Sequence, residues 1–251
     1  ITSITGDFTE NSATSTNSNT NGGAIYNRYT ISSITGDFTG NSATATNGTA
    51  QGGAIYNYGI ISSITGDFIG NSAKSETGSA YGGAIYNRGT IGNIIGDFIG
   101  NNIKSSSSVW GGTIYNYGAI KLISGDFIDN YVITNNYSGH TQDSVLYNAS
   151  TGIDIGTITF VADGETTTSN IYEQDVLFKG NYTLYSANSS HNVKEFKAIY
   201  NDGILNFESR NGGTFTFYDS ISSSSSNATI NLISDGNGVF NMYNNITSWG
   251  I

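Results

Sequence analysis

Apolar positions in this chain recur at two intervals. Within short runs they alternate: in ISSITGDFTGNSA, Ile34, Gly36 and Phe38 fall on one face, and Ser33, Thr35 and Asp37 on the other. In GGAIYN, Ile55 and Asn57 oppose Ala54 and Tyr56. Period-2 alternation over four to eight residues predicts strands with one buried face. Over longer stretches the whole pattern returns. GGAIYN begins at Gly22, Gly52 and Gly82, its variant GGTIYN at Gly111, and GDF at Gly6, Gly36, Gly66, Gly96 and Gly125. A fixed period of about 30 residues marks a stacked repeat. The absence of a 3.6-residue stripe argues against a helical solenoid.

The spacings separate a rigid part from a variable one. Each GG pair is followed by the next GDF after the same interval, whereas the interval from GDF to GG changes. The variation falls in segments such as TSTNSNTN, TATNGTAQ and KSETGSAY, which have loop composition. Short strands joined by Gly and Asn turns, stacked at constant period, predict an all-β, right-handed parallel β-helix. Ile25, Ile55, Ile85 and Ile114 are expected to form one interior column, and Phe8, Phe38, Phe68, Phe98 and Phe127 another. Residues 1–148 read as five regular coils, with Val145-Leu146-Tyr147-Asn148 replacing AIYN in the fifth. Residues 149–251 read as a less regular continuation. TFTFYDSI at Thr214 matches VFNMYNNI at Val239, and ILNF at Ile204 matches TINL at Thr229, which predicts plainer coils of about 25 residues. Residues 149–197 are expected to hold two coils, with an excursion around ADGETTTSNIYEQD. The total is about nine coils in one elongated domain. Ile1 falls inside a repeat, so the chain reads as a fragment of a longer protein.

Composition narrows the class. Hydrophobic residues make up 37% and charged residues 11%, with 33 Gly and abundant Ser, Thr and Asn in the remainder. Regularly placed Ile, Phe and Tyr distinguish this from a disordered chain. A net charge of −10 with only nine Lys and Arg argues against a nucleic-acid partner. No apolar run is long enough for a membrane span. Cysteine and proline are both absent. The first excludes disulfides and thiolate metal sites and points toward export. The second suits a chain in which most N–H groups join a strand ladder.

Candidate chemistry divides into repeated and single residues. Asp7, Asp37, Asp67, Asp97 and Asp126 recur with the coil, and a catalytic centre does not need five copies of itself. They read as turn-holders that accept backbone N–H bonds in their own or the adjacent coil, with a Ca²⁺-bridging ladder as the alternative. His140, Asp143, Glu165, Glu173, Asp175, His191, Lys194 and Glu195 interrupt the repeat, yet form no catalytic spacing. The two histidines read as solvated loop residues, and Trp110 and Trp249 as packing or capping residues. Asn27, Asn57, Asn87 and Asn116 are placed to form a ladder of amides. Tyr26, Tyr56, Tyr86, Tyr115 and Tyr147 point away from the interior. They are either half-buried under the neighbouring loop or a surface contact strip for glycan or protein. No catalytic, cofactor-binding or metal-binding residue is assigned.

The paired motifs resemble the repeats of the polymorphic-membrane-protein family of autotransporters. GGAI stands at Gly22, Gly52 and Gly82, with GGTI at Gly111. FxxN reads FTEN at Phe8, FTGN at Phe38, FIGN at Phe68 and Phe98, FIDN at Phe127 and FKGN at Phe178. The tail is similar to the plainer coils of autotransporter passengers. The resemblance implies an exported passenger, displayed at the bacterial surface by an outer-membrane barrel. It also implies adhesion to a host-cell or neighbouring-cell protein or glycan, or self-association. Two alternatives remain beside this non-enzymatic reading. One is a subunit of an extracellular filament or coat, and the other a glycan-cleaving β-helix enzyme. An ice-binding face is disfavoured because Thr44 becomes Lys74 and Lys104 in later coils.

Overall fold

Each alternating run forms a strand that pairs with its counterpart one coil away. A computed structural model describes residues 1–134, 144–149, 156–165, 172–186, 192–195, 197–223, 225–226 and 228–248. The chain winds as a parallel β-helix, and no α-helix occurs among the described residues. A regular coil contributes five strands, for example Thr30–Thr35, Phe38–Thr39, Ser42–Ala45, Ala50–Gln51 and Ile55–Asn57. These build five sheets. The first, second and fifth each hold eight strands. The third holds seven, and the fourth only the four short strands Thr20–Asn21, Ala50–Gln51, Ala80–Tyr81 and Val109–Trp110. Pairing is parallel throughout, apart from Tyr182–Ser186 against Asn192–Glu195. The first sheet runs without a break from Ser3–Thr5 to Thr229–Ser234, across the boundary drawn at residue 148.

Register sets like residues opposite one another. Ile55 lies between Ile25 and Ile85, and Phe68 between Phe38 and Phe98. The phenylalanine rings stack nearly parallel, with centroids 4.8 Å apart for Phe38–Phe68 and for Phe68–Phe98. The column continues through Phe127 and Phe178 to Phe217. These rings and the isoleucines form one core cluster inside the coil. A smaller cluster, including Ala43, Ala73, Ile103 and Val132, lies between the third and fourth sheets.

Glycine is required where consecutive coils come closest. Gly52 has a φ of +66°, the left-handed region. A Cβ on Gly53 would meet the carbonyl oxygens of Gly83 and Ser72. The GDF glycine Gly66 has a φ of +144°, and a Cβ there would meet the carbonyl of Gly36. The repeated GG and GDF words are therefore imposed by stacking.

Two sequence expectations change. Ile31 and Ile34 are both buried although they are three residues apart. Pairing skips Ser32 and Ser62, so the strand kinks there and period-2 alternation is interrupted. The chain also makes eight coils among the described residues, not nine. Between Thr157–Asp163 and Ile204–Arg210 lies a single coil, built from Asp175–Lys179, Tyr182–Ser186 and Lys197–Asn201. Its extra residues fall between these strands and include Asn192–Glu195, which pairs with Tyr182–Ser186, while the parallel ladders stay paired. Eight coils span roughly 34 Å at ordinary inter-strand spacing.

Candidate functional site: the outward aromatic face

The strand IYN in the fifth sheet sends Ile inward, Tyr outward and Asn inward. The outward tyrosines stack along the axis: Tyr56 on Tyr86 at 4.9 Å, Tyr86 on Tyr115 at 5.1 Å, Tyr115 on Tyr147 at 5.3 Å and Tyr147 on Tyr200 at 5.3 Å. Tyr26 meets Tyr56 edge-on. Tyr26 is 50% exposed, whereas Tyr56, Tyr86, Tyr115 and Tyr147 are at most 7% exposed. The five do not form an open strip; beyond Tyr26 the column is covered.

The fourth sheet explains the cover. Its outward position reads Asn21, Gln51, Tyr81 and Trp110 in successive coils, each paired with the next. Small polar side chains give way to large rings as the column proceeds. Tyr81 and Trp110 pack on Tyr115, at 5.1 and 6.3 Å, and Trp110 also reaches Tyr147. Burial, first of all, pushes the phenols of Tyr86, Tyr115 and Tyr147 well above their usual pKa, so they remain neutral. Tyr147 O–H donates to Asp202 Oδ2 at 2.9 Å.

At the rim, the residue after IYN alternates along the axis: Arg28, Tyr58, Arg88 and Tyr117. The Arg88 guanidinium carbon lies 5.7 Å from the Tyr58 ring centre and 5.9 Å from that of Tyr117. Beside it opens a cleft of about 270 Å³, lined by Thr49, Gln51, Tyr81, Arg88, Trp110 and Tyr117 among others. Sequence reasoning identified the tyrosine column and treated Trp110 as packing. It missed the cleft, because Gln51, Tyr81 and Trp110 belong to the segment of variable composition. The signal available was the Arg/Tyr alternation.

The repeated carboxylates are placed differently. Asp7 Oδ1 accepts the N–H of Asp37 at 3.0 Å, Asp37 that of Asp67 at 2.9 Å, Asp67 that of Asp97 at 2.8 Å and Asp97 that of Asp126 at 2.8 Å. Each aspartate thus ties its coil to the next, as expected of a turn-holder. The sixth coil has no GDF, and Asp126 Oδ1 accepts the N–H of Leu177 instead, at 2.8 Å. Burial pushes Asp126 up to about 6, against the Leu177 hydrogen bond and reinforced by the charges of Asp97, Glu173 and Asp175. Burial likewise raises Asp97, and partial desolvation reinforced by the charges of Asp97 and Asp67 raises the largely exposed Glu173.

Two amide ladders cross the interior. Asn27 Nδ2 donates to Asn57 Oδ1, Asn57 to Asn87 and Asn87 to Asn116, each at 2.8 Å, and Asn116 to Asn148 at 2.9 Å. The asparagine of FxxN forms a second ladder, in which Asn41, Asn71, Asn101 and Asn130 are linked at 2.9 to 3.0 Å. It continues to Asn181 and ends on Asp219 Oδ2 at 2.8 Å. The first ladder was legible from the column. The second was legible from the fixed position of Asn after Phe, but was read only as a motif.

Among the described residues, the single carboxylates do not converge on a reaction centre. Glu165 donates its N–H to Asp163 Oδ1, Glu173 donates its N–H to Ser124 Oγ, and Glu195 forms an ion pair with Lys197. Glu173 and Asp175 are exposed near the last aspartates of the ladder. His140, Asp143, His191 and Trp249 lie outside the described residues, as does the side chain of Lys194. Among the described residues, no group of three or more His, Asp or Glu is placed to hold a metal ion. No helix among them is long and apolar enough to cross a membrane.

Residues 6–28, 36–58 and 66–88 match the Chlamydia polymorphic membrane protein repeat. Each match runs from GDF through the residue after GGAIYN. The first three coils therefore carry the repeat that the motifs resembled, which belongs to a family of surface-associated proteins. The fourth coil, with GGTIYN and one residue fewer, lies outside the matches. No curated protein and no solved structure matches the chain.

Proposed function

We propose that this chain is a stretch of a bacterial surface passenger that acts by contact, in adhesion to a host-cell or neighbouring-cell surface, and not by catalysis. The observation that carries the reading is the repeat match, which falls on coils whose recurring polar residues are committed to stacking. The aspartates hold backbone N–H groups and the asparagines hold one another. The outward face of the fifth sheet and its corner toward the first sheet remain available for a partner, with half-exposed Tyr26, exposed Tyr29 and Tyr58, and the cleft beside Arg88. Aromatic rings and arginine are the side chains enriched at recognition surfaces. Display at the outer membrane through a downstream barrel completes the proposal.

Self-association, including assembly into an extracellular filament, is the second reading. The stacked Tyr218 and Tyr243 rings, both exposed, favour it as a separate sticky patch. Flow cytometry of cells incubated with the fluorescent chain, together with sedimentation velocity of the chain alone, tests both. Saturable cell binding by a monomer supports adhesion, and concentration-dependent growth in mass supports assembly. Absence of both, with release of new reducing ends from a polysaccharide, would overturn the non-enzymatic reading.

A further inference from the structure

The cleft beside Arg88 has features that packing alone does not require. Three aromatic side chains, Tyr81, Trp110 and Tyr117, are partly exposed around it. Thr49 and Gln51 add neutral hydrogen-bonding groups to its lining. Its volume, about 270 Å³, is below that of an ordinary drug-sized pocket and suits one small ring. Aromatic faces beside amide and hydroxyl groups are the chemistry that recognises a sugar, which has apolar C–H faces and a polar rim.

Arg88 adds a charge preference. It is exposed, and among the described residues it forms no ion pair. Rings flank it from the coils on either side. The guanidinium also hydrogen-bonds the Tyr56 side chain; of its N–H donors, those not directed at Tyr56 can serve a carboxylate, with up to two parallel hydrogen bonds. The chain as a whole carries −10, so a densely charged polyanion would be repelled. One carboxylate on an otherwise neutral glycan fits both constraints.

We infer that the cleft formed by Tyr81, Arg88, Trp110 and Tyr117 is a binding subsite for a carboxylate-bearing sugar ring, with Arg88 holding the carboxylate and the rings holding the sugar face. This rests on the adhesive reading and gives it a ligand class. Such a ring can be a terminal sialic acid or a uronic acid, and the same contacts serve either.

Saturation-transfer NMR and titration calorimetry test the site with three probes: a sialylated trisaccharide, a glucuronic-acid disaccharide and neutral lactose. At least one acidic probe should bind roughly tenfold or more tightly than lactose, the worth of one charge-assisted bidentate contact. Whichever acidic probe binds identifies the source. Arg88→Gln should remove that preference, and Trp110→Ala should weaken every probe. Lys104→Gln, which removes the same charge from an exposed position outside the cleft, should change nothing. Melting curves of each variant establish that it is folded. Equal affinity for acidic and neutral probes, no binding of any probe, or an equal loss in Lys104→Gln overturns the inference. If the chain still binds cells under those outcomes, adhesion stands and the subsite falls. If cell binding is also absent, the adhesive reading falls with it.

Discussion

The coils before residue 134 and those after residue 197 share an axis and a core but are built with different redundancy. An early coil has three packed regions: the isoleucine and phenylalanine core, the alanine-lined cluster between the third and fourth sheets, and the covered tyrosine column. It also has two amide ladders and the aspartate ladder. Among the described residues, a late coil has no strand in the fourth sheet and none in the third. Its interior is filled by more rings, with Phe207 against Phe215 and Phe217 at 5.5 and 5.1 Å. The amide ladders end at this transition, on Asn201 and Asp219. Near-identical words allow every side chain to meet its own copy, and that supports polar stacking. Once the words diverge, apolar volume must hold the coils together.

The largest effect that probes this contrast is truncation of a core ring. Phe68→Ala opens a hole in a fully buried stacked column and should cost about 3–5 kcal/mol in chemical denaturation. Phe240→Ala, on a partly buried ring of the eighth coil that stacks on Phe215, should cost clearly less. If the two losses are equal, the late coils are as tightly packed as the early ones and the contrast fails.

Polar stacking should show an intermediate effect. Asn71 accepts from the N–H and Nδ2 of Asn41 and donates to Asn101 Oδ1 and the Phe38 carbonyl, all at 3.0 Å or less. Asn71→Ala leaves buried groups without partners and should cost roughly 1–3 kcal/mol. Asn206→Ala, which removes an outward pair with Asn231 in the late coils, should cost about 0.5–1 kcal/mol. Thermal melts of the two variants decide whether the ladders stabilise the early coils or only accompany them.

The smallest effect lies at the junction, where Asp126 is pushed up to about 6. A carboxylate with a raised folded pKa binds its proton more tightly in the native state. Stability from this group is then greatest below the unfolded value near 4 and is lost as pH rises through about 6. Asp97, Glu173 and Asp219 are raised with the same sign. Melting temperature should therefore fall modestly between pH 4 and pH 7. Asp126→Asn keeps an oxygen for the Leu177 N–H and removes the charge, so it should melt slightly higher at pH 7 and with a shallower pH slope. A steeper slope would show that another group controls the junction.

Periodicity by itself determined the architecture. Repeated GG and GDF, and Ile and Phe at constant spacing, allow only one way for like residues to meet, which is in stacked columns. That logic covered the interior, the first amide ladder and the role of the aspartates, because these depend on identity between neighbouring coils. It did not count the coils between residues 149 and 197, since added residues between strands change length without changing the ladder. Nor could it expose or cover the tyrosines. Tyr26 and Tyr86 stand in the same word, IYNR, but Tyr26 lies on the strand that ends the fifth sheet, whereas Tyr86 is stacked between Tyr56 and Tyr115 and met by Tyr81 from another sheet. Burial of an outward side chain is set by what folds across it. Only the tertiary structure brings the variable segment over the constant one and forms the cleft between them.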